Sequence, residues 1–201
     1  MSDHPPSLDS VCVYCGSSNA ADPRYLEAAG AFGRLLAREN VRLVYGGGGV
    51  GLMGACARAA HAAGGRALGV MPDFLRQSEI LFDEIETIVV RTMHERKMLM
   101  FDHADAFAVL PGGIGTLEEV VELMSWRRLG LHRKPIVFFN PGGFWEPLFE
   151  LMRHTVAQKL TPPAFLQVLR SVDSVEAILP TMRAMLAEDA VQTPLIMPRL
   201  T

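Results

Sequence analysis

At 201 residues, 49% hydrophobic and 20% charged, the chain is long enough to bury one core and has the composition of an ordinary globular domain. A net charge of −3 with no basic stripe speaks against a nucleic-acid partner, because nothing gathers cations to neutralise a phosphate backbone. No apolar run reaches the length of a membrane span, and the first nine residues hold neither Lys nor Arg nor an apolar core, so neither membrane nor export signal is expected and the compartment is read as the cytoplasm.

Residues 1–10 are polar and proline-bearing and read as a loose arm. Val11 to Cys15 is an apolar run too short for a helix, closed by Gly16-Ser17-Ser18-Asn19, and forms the first predicted strand. Asp22-Pro23 then opens a helix as cap and first residue, with Leu26, Ala29, Phe32, Gly33 and Leu36 on its inner face to about Asn40. Val41 to Tyr45 is the second strand. It runs into Gly46-Gly47-Gly48-Gly49-Val50-Gly51 and an alanine-rich helix that stops at Gly64-Gly65. Ala67 to Met71 is the third strand, Pro72 to Phe82 a loop or short helix, and Ile85 to Val90 the fourth strand, followed by a helix over Thr92 to His103.

Ala104 to Leu110 is the fifth strand. It turns through Pro111-Gly112-Gly113-Ile114-Gly115 into a helix whose Leu117, Val120, Val121 and Met124 line one face to about Leu129, where Gly130 ends it. Ile136 to Asn140 is the sixth strand, Phe144 to Gln158 a helix, and Asp173 or Ser174 caps a last helix to about Ala187. Alternation of this kind specifies a single α/β domain over residues 11–190, Rossmann-like and doubly wound, with a mostly parallel sheet covered by helices on both faces and a C-terminal tail over 191–201. Ligands of such sheets bind beyond the carboxyl ends of the strands at the switch point. A strand order of 3-2-1-4-5-6 would make the loops after strands two, one, four and five contiguous.

The chemistry is read from those loops. A strand turning through glycines into a helix leaves unpaired N–H groups at the first helical turn, where the dipole favours an anion, and glycine lets backbone approach a phosphate closely. Thr116 and Glu119 fit the T-x-x-E capping box, which is the plainer reading of both and can coexist with a catalytic role. Thr92 and Glu95 form a second such box. Arg96 and Lys97 beside it oppose the helix dipole, so either solvent or acidic partners in the crevice must compensate them. The glycines after Tyr45 fit G-x-G-x-x-G with Asp73 about 20 residues on, so a dinucleotide-binding reading is open, although the fingerprint belongs after the first strand. Tight helix-on-sheet packing explains Gly51 and Gly54 equally well. Cys12 and Cys15 match C-x-x-C, but strand neighbours at i and i+3 face opposite ways, so they are read as buried thiols, and the six histidines show no metal-ligand spacing. Neither metal nor cofactor is expected.

Pro111-Gly112-Gly113-Ile114-Gly115-Thr116-Leu117-Glu118-Glu119 fits P-G-G-x-G-T-x-x-E, and His94-Glu95-Arg96-Lys97 fits the companion H-x-R-K. With Cys12-Val13-Tyr14-Cys15-Gly16-Ser17-Ser18 and the glycine run before Leu52-Met53-Gly54, the sequence resembles the LOG ("Lonely Guy") family of cytokinin riboside 5′-monophosphate phosphoribohydrolases, many of which have carried a lysine decarboxylase label. The resemblance covers about Val11 to Leu151. It implies hydrolysis of the N-glycosidic bond of adenosine 5′-monophosphates, N6-modified or plain, releasing free base and ribose 5-phosphate, in a homodimer with its sites near the subunit interface. By motif position it implies Arg96 and Glu119 as catalytic residues, with Glu79, Lys97, the stretch Gly112, Gly113, Ile114, Gly115, Thr116, Leu117 and Glu118, and Ser125 as ligand contacts. Gly16, Ser17, Gly47, Gly48 and Met93 are further candidates. Gly49 stands where many members have Ser, and Glu95 where plant members have Gln.

In that scheme the carboxylate of Glu119 meets positive charge building on the ribose, Arg96 holds the phosphate-ribose end and keeps Glu119 ionised, and the N–H groups of Gly113, Gly115 and Thr116 fix the phosphate. Two other functions remain open from the residues: an NAD(P)-dependent oxidoreductase, and a nucleotide-binding carrier without catalysis.

Overall fold

The computed structural model describes residues 7–76 and 82–191. Among these, seven strands form one parallel sheet: β1 (Ser10–Tyr14), β2 (Arg42–Tyr45), β3 (Ala67–Pro72), β4 (Thr87–Val90), β5 (Ala106–Val109), β6 (Ile136–Phe139) and β7 (Arg170–Val172), in the order β4-β3-β2-β1-β5-β6-β7. The strands are connected by α1 (Pro23–Arg38), α2 (Gly51–Ala62), α3 (Met93–Asp102), α4 (Ile114–Arg128) and α5 (Glu146–Ala157), and α6 (Ile178–Val191) is the last element among the described residues. The Rossmann-like α/β class is as expected from the sequence.

Side chains alternate across the sheet as the pleat demands. Val11 and Val13 enter a core with Phe32 and Leu36 of α1, Cys56 and Ala60 of α2, and Met182 of α6. Cys12 and Tyr14 enter the opposite core with Met100 of α3, Val120 and Met124 of α4, and Phe149 of α5. Gly33 is what lets α1 and α2 lie so close, because a Cβ there would collide with the backbone carbonyl of Cys56.

Several boundaries follow the predicted local chemistry. Asp22 caps α1 by accepting from Arg24 N at 2.9 Å with Pro23 at the first position. Thr92 and Glu95 make the predicted capping box, Glu95 N donating to Thr92 Oγ1 at 3.1 Å and Thr92 N to Glu95 Oε2 at 3.3 Å. Gly130 leaves α4 at φ 74°, a left-handed turn suited to glycine.

Four expectations need correction. The strand order is not 3-2-1-4-5-6: β4 pairs with β3 at the sheet edge, and β5 takes the place beside β1. Local pattern does not encode which way a parallel crossover turns, and here the one after β3 turns outward. Thr116 is not a cap, since α4 starts at Ile114 with Gly113 as its N-cap and no side-chain capping bond. Ser174 precedes a short 3-10 turn, Val175–Ala177, without a capping bond, and α6 begins only at Ile178 and runs past Ala187 to Val191. Finally, β7 was not predicted, being three residues paired only to β6 with Arg170 and Ser171 exposed.

Candidate active site

Successive strands are laid down on one side of β1 up to β4 and on the other side from β5, and this switch places the loops after β1, β2 and β5 side by side. The chain seams are tight. Gly16 N donates to Pro111 O at 3.0 Å, while Gly16 O accepts from Leu52 N at 3.0 Å and Met53 N at 3.3 Å. Above this floor opens a cavity of about 320 Å³ lined by Val13, Cys15, Gly16, Ser17, Ser18, Gly46, Met53, Arg96, Met100, Gly113, Ile114, Gly115, Thr116 and Glu119, a size suited to a small ligand.

The two glycine-rich loops differ in the state of their N–H groups. At the start of α2, Gly51 N donates to Asn19 Oδ1 at 2.8 Å, and Leu52 N and Met53 N are taken by Gly16 O. That first turn has nothing left for a pyrophosphate. At the start of α4 the first internal bond is Leu117 N to Gly113 O at 3.0 Å, and among the described residues the N–H groups of Ile114, Gly115 and Thr116 have no acceptor. Three donors at a helix N-terminus, in residues that line a cavity, are suited to an anion. A Cβ at Gly113 or Gly115 would meet nothing within 4 Å, so protein packing does not require glycine there and the room lies on the cavity side.

Arg96 comes from the sheet edge. From α3 its guanidinium returns over β3, Nε donating to Val70 O at 3.2 Å and Nη2 to Gly46 O at 3.0 Å, with Nη1 4.0 Å from Met93 Sδ. Gly46 leaves the space it fills, since a Cβ there would collide with Nη2. Arg96 is buried, and among the described residues it forms no ion pair. This fixed cation faces the cavity, with the carboxyl of Glu119 nearby.

Glu119, one turn into α4, lines the same cavity, and with no capping role its carboxyl makes no hydrogen bond or ion pair among the described residues. Burial pushes its pKa up from the ordinary 4.5 to about 7, outweighing the nearby Arg96, which lowers it; Glu118 raises it, Lys97 lowers it and Glu122 raises it further. Arg96 favours the ionised form, in the direction that the resemblance implies, but desolvation is the larger effect. A carboxyl poised near neutrality is suited to proton transfer.

The sequence profile of a family described as "possible lysine decarboxylase" matches residues 53–182. The cytokinin riboside 5′-monophosphate phosphoribohydrolase LOG7 of Arabidopsis thaliana is 41% identical over 170 residues, covering 84% of this chain and 78% of that protein. The chain belongs to the LOG family. The cytokinin riboside 5′-monophosphate phosphoribohydrolase of Rhodococcoides fascians is 42% identical over 161 residues, 79% of this chain and 81% of its own. The fold also matches a molybdenum cofactor binding protein from Rippkaea orientalis with a TM-score of 0.67 over 89% of this chain and 98% of that one, at 21% identity, which bears on fold alone.

Of the positions that the LOG resemblance implied, Arg96, Glu119, Gly113, Ile114, Gly115 and Thr116 line the cavity, as do Gly16 and Ser17. Gly112 lies just behind it, where a Cβ would collide with Thr116 Oγ1. Gly47 packs on Met71, and Met93 supports Arg96 from behind. Lys97 is held by Glu118 and Glu122, at 2.5 and 2.8 Å. Leu117, Glu118 and Ser125 lie along a surface groove with Ile114, Val121 and Trp126. Gly48 is buried in its loop and does not line the cavity. Glu79 falls outside the described residues. Asp73, the acid of the dinucleotide pattern, pairs instead with Arg76 at 3.6 Å. Sequence reasoning missed Val13, Cys15, Ser18, Gly46, Met53 and Met100 as lining residues; the shared face of Val13 and Cys15 was available from strand parity, whereas Met53 and Met100 reach the cavity only through tertiary packing. The three thiols are free; Cys12 and Cys56 are buried as inert groups are, whereas Cys15, expected to be buried, is half-buried at the cavity wall, and desolvation pushes Cys12 and Cys15 well above the usual range and Cys56 to about 12. No helix among the described residues is long and apolar enough to cross a membrane.

Proposed function

We propose that this chain hydrolyses the N-glycosidic bond of adenosine 5′-monophosphates, including N6-modified ones, to free base and ribose 5-phosphate. The observation that carries the reading is the juxtaposition on one helix of three acceptor-free N–H groups, at 114–116, and the carboxyl of Glu119. One helical turn of about 5.4 Å suits a ribose standing between its 5′-phosphate and its anomeric carbon. The phosphate seats on the first turn of α4, and Arg96 supplies the charge that its carbonyl partners leave uncompensated.

As the bond from the anomeric carbon to the base nitrogen lengthens, the bonding pair leaves with the base and positive charge spreads over the ribose ring. Ionised Glu119 stabilises that charge and accepts a proton from the water attacking the anomeric carbon. The base departs with a proton from its surroundings, leaving ribose 5-phosphate. We place the reaction in a homodimer in the cytoplasm. The dimer is supported by large apolar side chains exposed beside the cavity, Ile114 at 83% and Val121 at 46%, with Leu129 and Leu131 farther along. Reduced thiols support the compartment, and the acidic net charge supports the absence of a nucleic-acid partner.

Incubating the protein with AMP and a panel of N6-substituted monophosphates, and resolving the freed base by chromatography, tests the reading. Base release from at least one member is expected. Saturable nucleotide binding with no release from any would replace the hydrolase by a carrier, and saturable NAD(P)H binding by fluorescence would restore the dinucleotide reading.

A further inference from the structure

Lys97 has no place in the cavity lining, yet it is nearly enclosed: its side chain is 11% exposed, and Nζ lies 2.5 Å from Glu118 Oε1 and 2.8 Å from Glu122 Oε2. These three residues join α3 to α4 at one level. Lys97 directly follows Arg96 on α3, and Glu118 directly precedes Glu119 on α4 with Glu122 four residues beyond it. On each helix, neighbouring positions are turned by about 100°. One member of each pair therefore looks into the cavity and the other toward the facing helix. Burial works against the charge on Lys97, but the hydrogen bonds that its ammonium donates to the two glutamates, together with their negative charge, outweigh it and hold the ammonium above its ordinary value.

We infer that Lys97, clamped between Glu118 and Glu122, is a positioning residue that sets the spacing of Arg96 and Glu119 across the cavity and balances the two acids flanking Glu119. The inference rests on the hydrolase reading above. Its electrostatic half involves every charged or titratable group facing Glu119: Arg96 and Lys97 from α3, Glu118 and Glu122 from its own helix, and the thiols of Cys12 and Cys15 with the Tyr14 hydroxyl from β1 and its loop. Lys97 favours the ionised carboxyl of Glu119, and Glu118 and Glu122 oppose it. Removing the lysine and removing a glutamate must therefore act in opposite directions, which a contact serving only to hold the helices together would not do.

The test compares Lys97→Met, Lys97→Arg and Glu122→Gln, reading kcat and KM for AMP from pH 5 to 9. Lys97→Met is expected to lower kcat roughly 10- to 100-fold, the scale of a small misplacement of reacting groups, while KM changes little. Its acid limb moves to higher pH, and that of Glu122→Gln moves to lower pH, each by roughly half a unit or more. Lys97→Arg, able to bridge two carboxylates, restores most of the rate. Should Lys97→Met fail to fold, the downward shift in Glu122→Gln still decides. A raised KM with kcat and acid limb unchanged would make Lys97 a substrate contact and overturn the inference, as would limbs that move together or not at all. Wild-type protein that releases no base from any monophosphate would instead refute the hydrolase reading; titration of the Glu119 carboxyl by carbon-13 NMR in the same variants then reads the positioning on its own, with the same opposed shifts expected.

Discussion

Glu119 is held at odds with the stability of the chain. Its folded pKa of about 7 lies above the ordinary 4.5, so the folded protein binds more protons than the unfolded chain between these values, and stability falls as pH rises through that window. The cost is absent below the unfolded value and complete above the folded one. Glu119→Gln should therefore raise the melting temperature at pH 8, reflecting a gain in stability on the order of 3 kcal/mol, and leave it nearly unchanged at pH 4.5. The same variant should lose base release by at least roughly 10²-fold, as chromatography of freed adenine would show. Equal melting shifts at both pH values would mean that the carboxyl is not desolvated. Arg96 offers a parallel case. Its forked donors satisfy the carbonyls of Val70 and Gly46 together, and a lysine cannot reproduce that geometry. Arg96→Lys should keep the charge yet lose roughly 10²-fold or more in kcat/KM, measured on AMP.

At the scale of elements, the first turn of α4 separates folding from binding. Gly115 has no positive φ and no neighbour where its Cβ would stand. Gly115→Ala should thus leave stability equal or raise it by up to about 1 kcal/mol, as helix propensity predicts, while KM for AMP rises roughly tenfold or more if, as proposed, the phosphate occupies the open space that the methyl would enter. Gly33→Ala is the opposite case, since its Cβ would strike the Cys56 carbonyl in the α1–α2 seam; it should cost about 1–3 kcal/mol in denaturant melts with KM unaltered. The sequence made some of this readable and hid the rest for identifiable reasons. Asp22, Thr92 with Glu95, and Gly130 announced their helix ends because capping is local chemistry. Thr116 and Glu119 wore the same pattern without the role, because the glycines let the helix begin at Ile114, three residues before the Leu117 that a Thr116 cap would give. The catalytic reading of Glu119 gains from that error, as no cap competes for its carboxyl. Neither the edge position of β4 nor the short β7 could be read from periodicity, since both are decided by where distant segments come to rest.

For the whole molecule, the exposed apolar side chains near the cavity bear on assembly. Val121→Arg should convert a dimer to a monomer in sedimentation velocity, with the far-ultraviolet spectrum preserved because the side chain is 46% exposed in the single chain. Wild-type protein sedimenting as a monomer at the same concentration would remove the basis for that expectation.

The Arg96 guanidinium that faces the cavity is rooted in the outermost strand's connection and reaches inward to a carbonyl 50 residues earlier in the chain. Margins of a sheet fray at lower free energy than its centre. Warming should accordingly silence turnover before the bulk of the backbone melts: activity assayed along a temperature ramp would fall ahead of circular dichroism, making the enzyme a thermometer of its own rim.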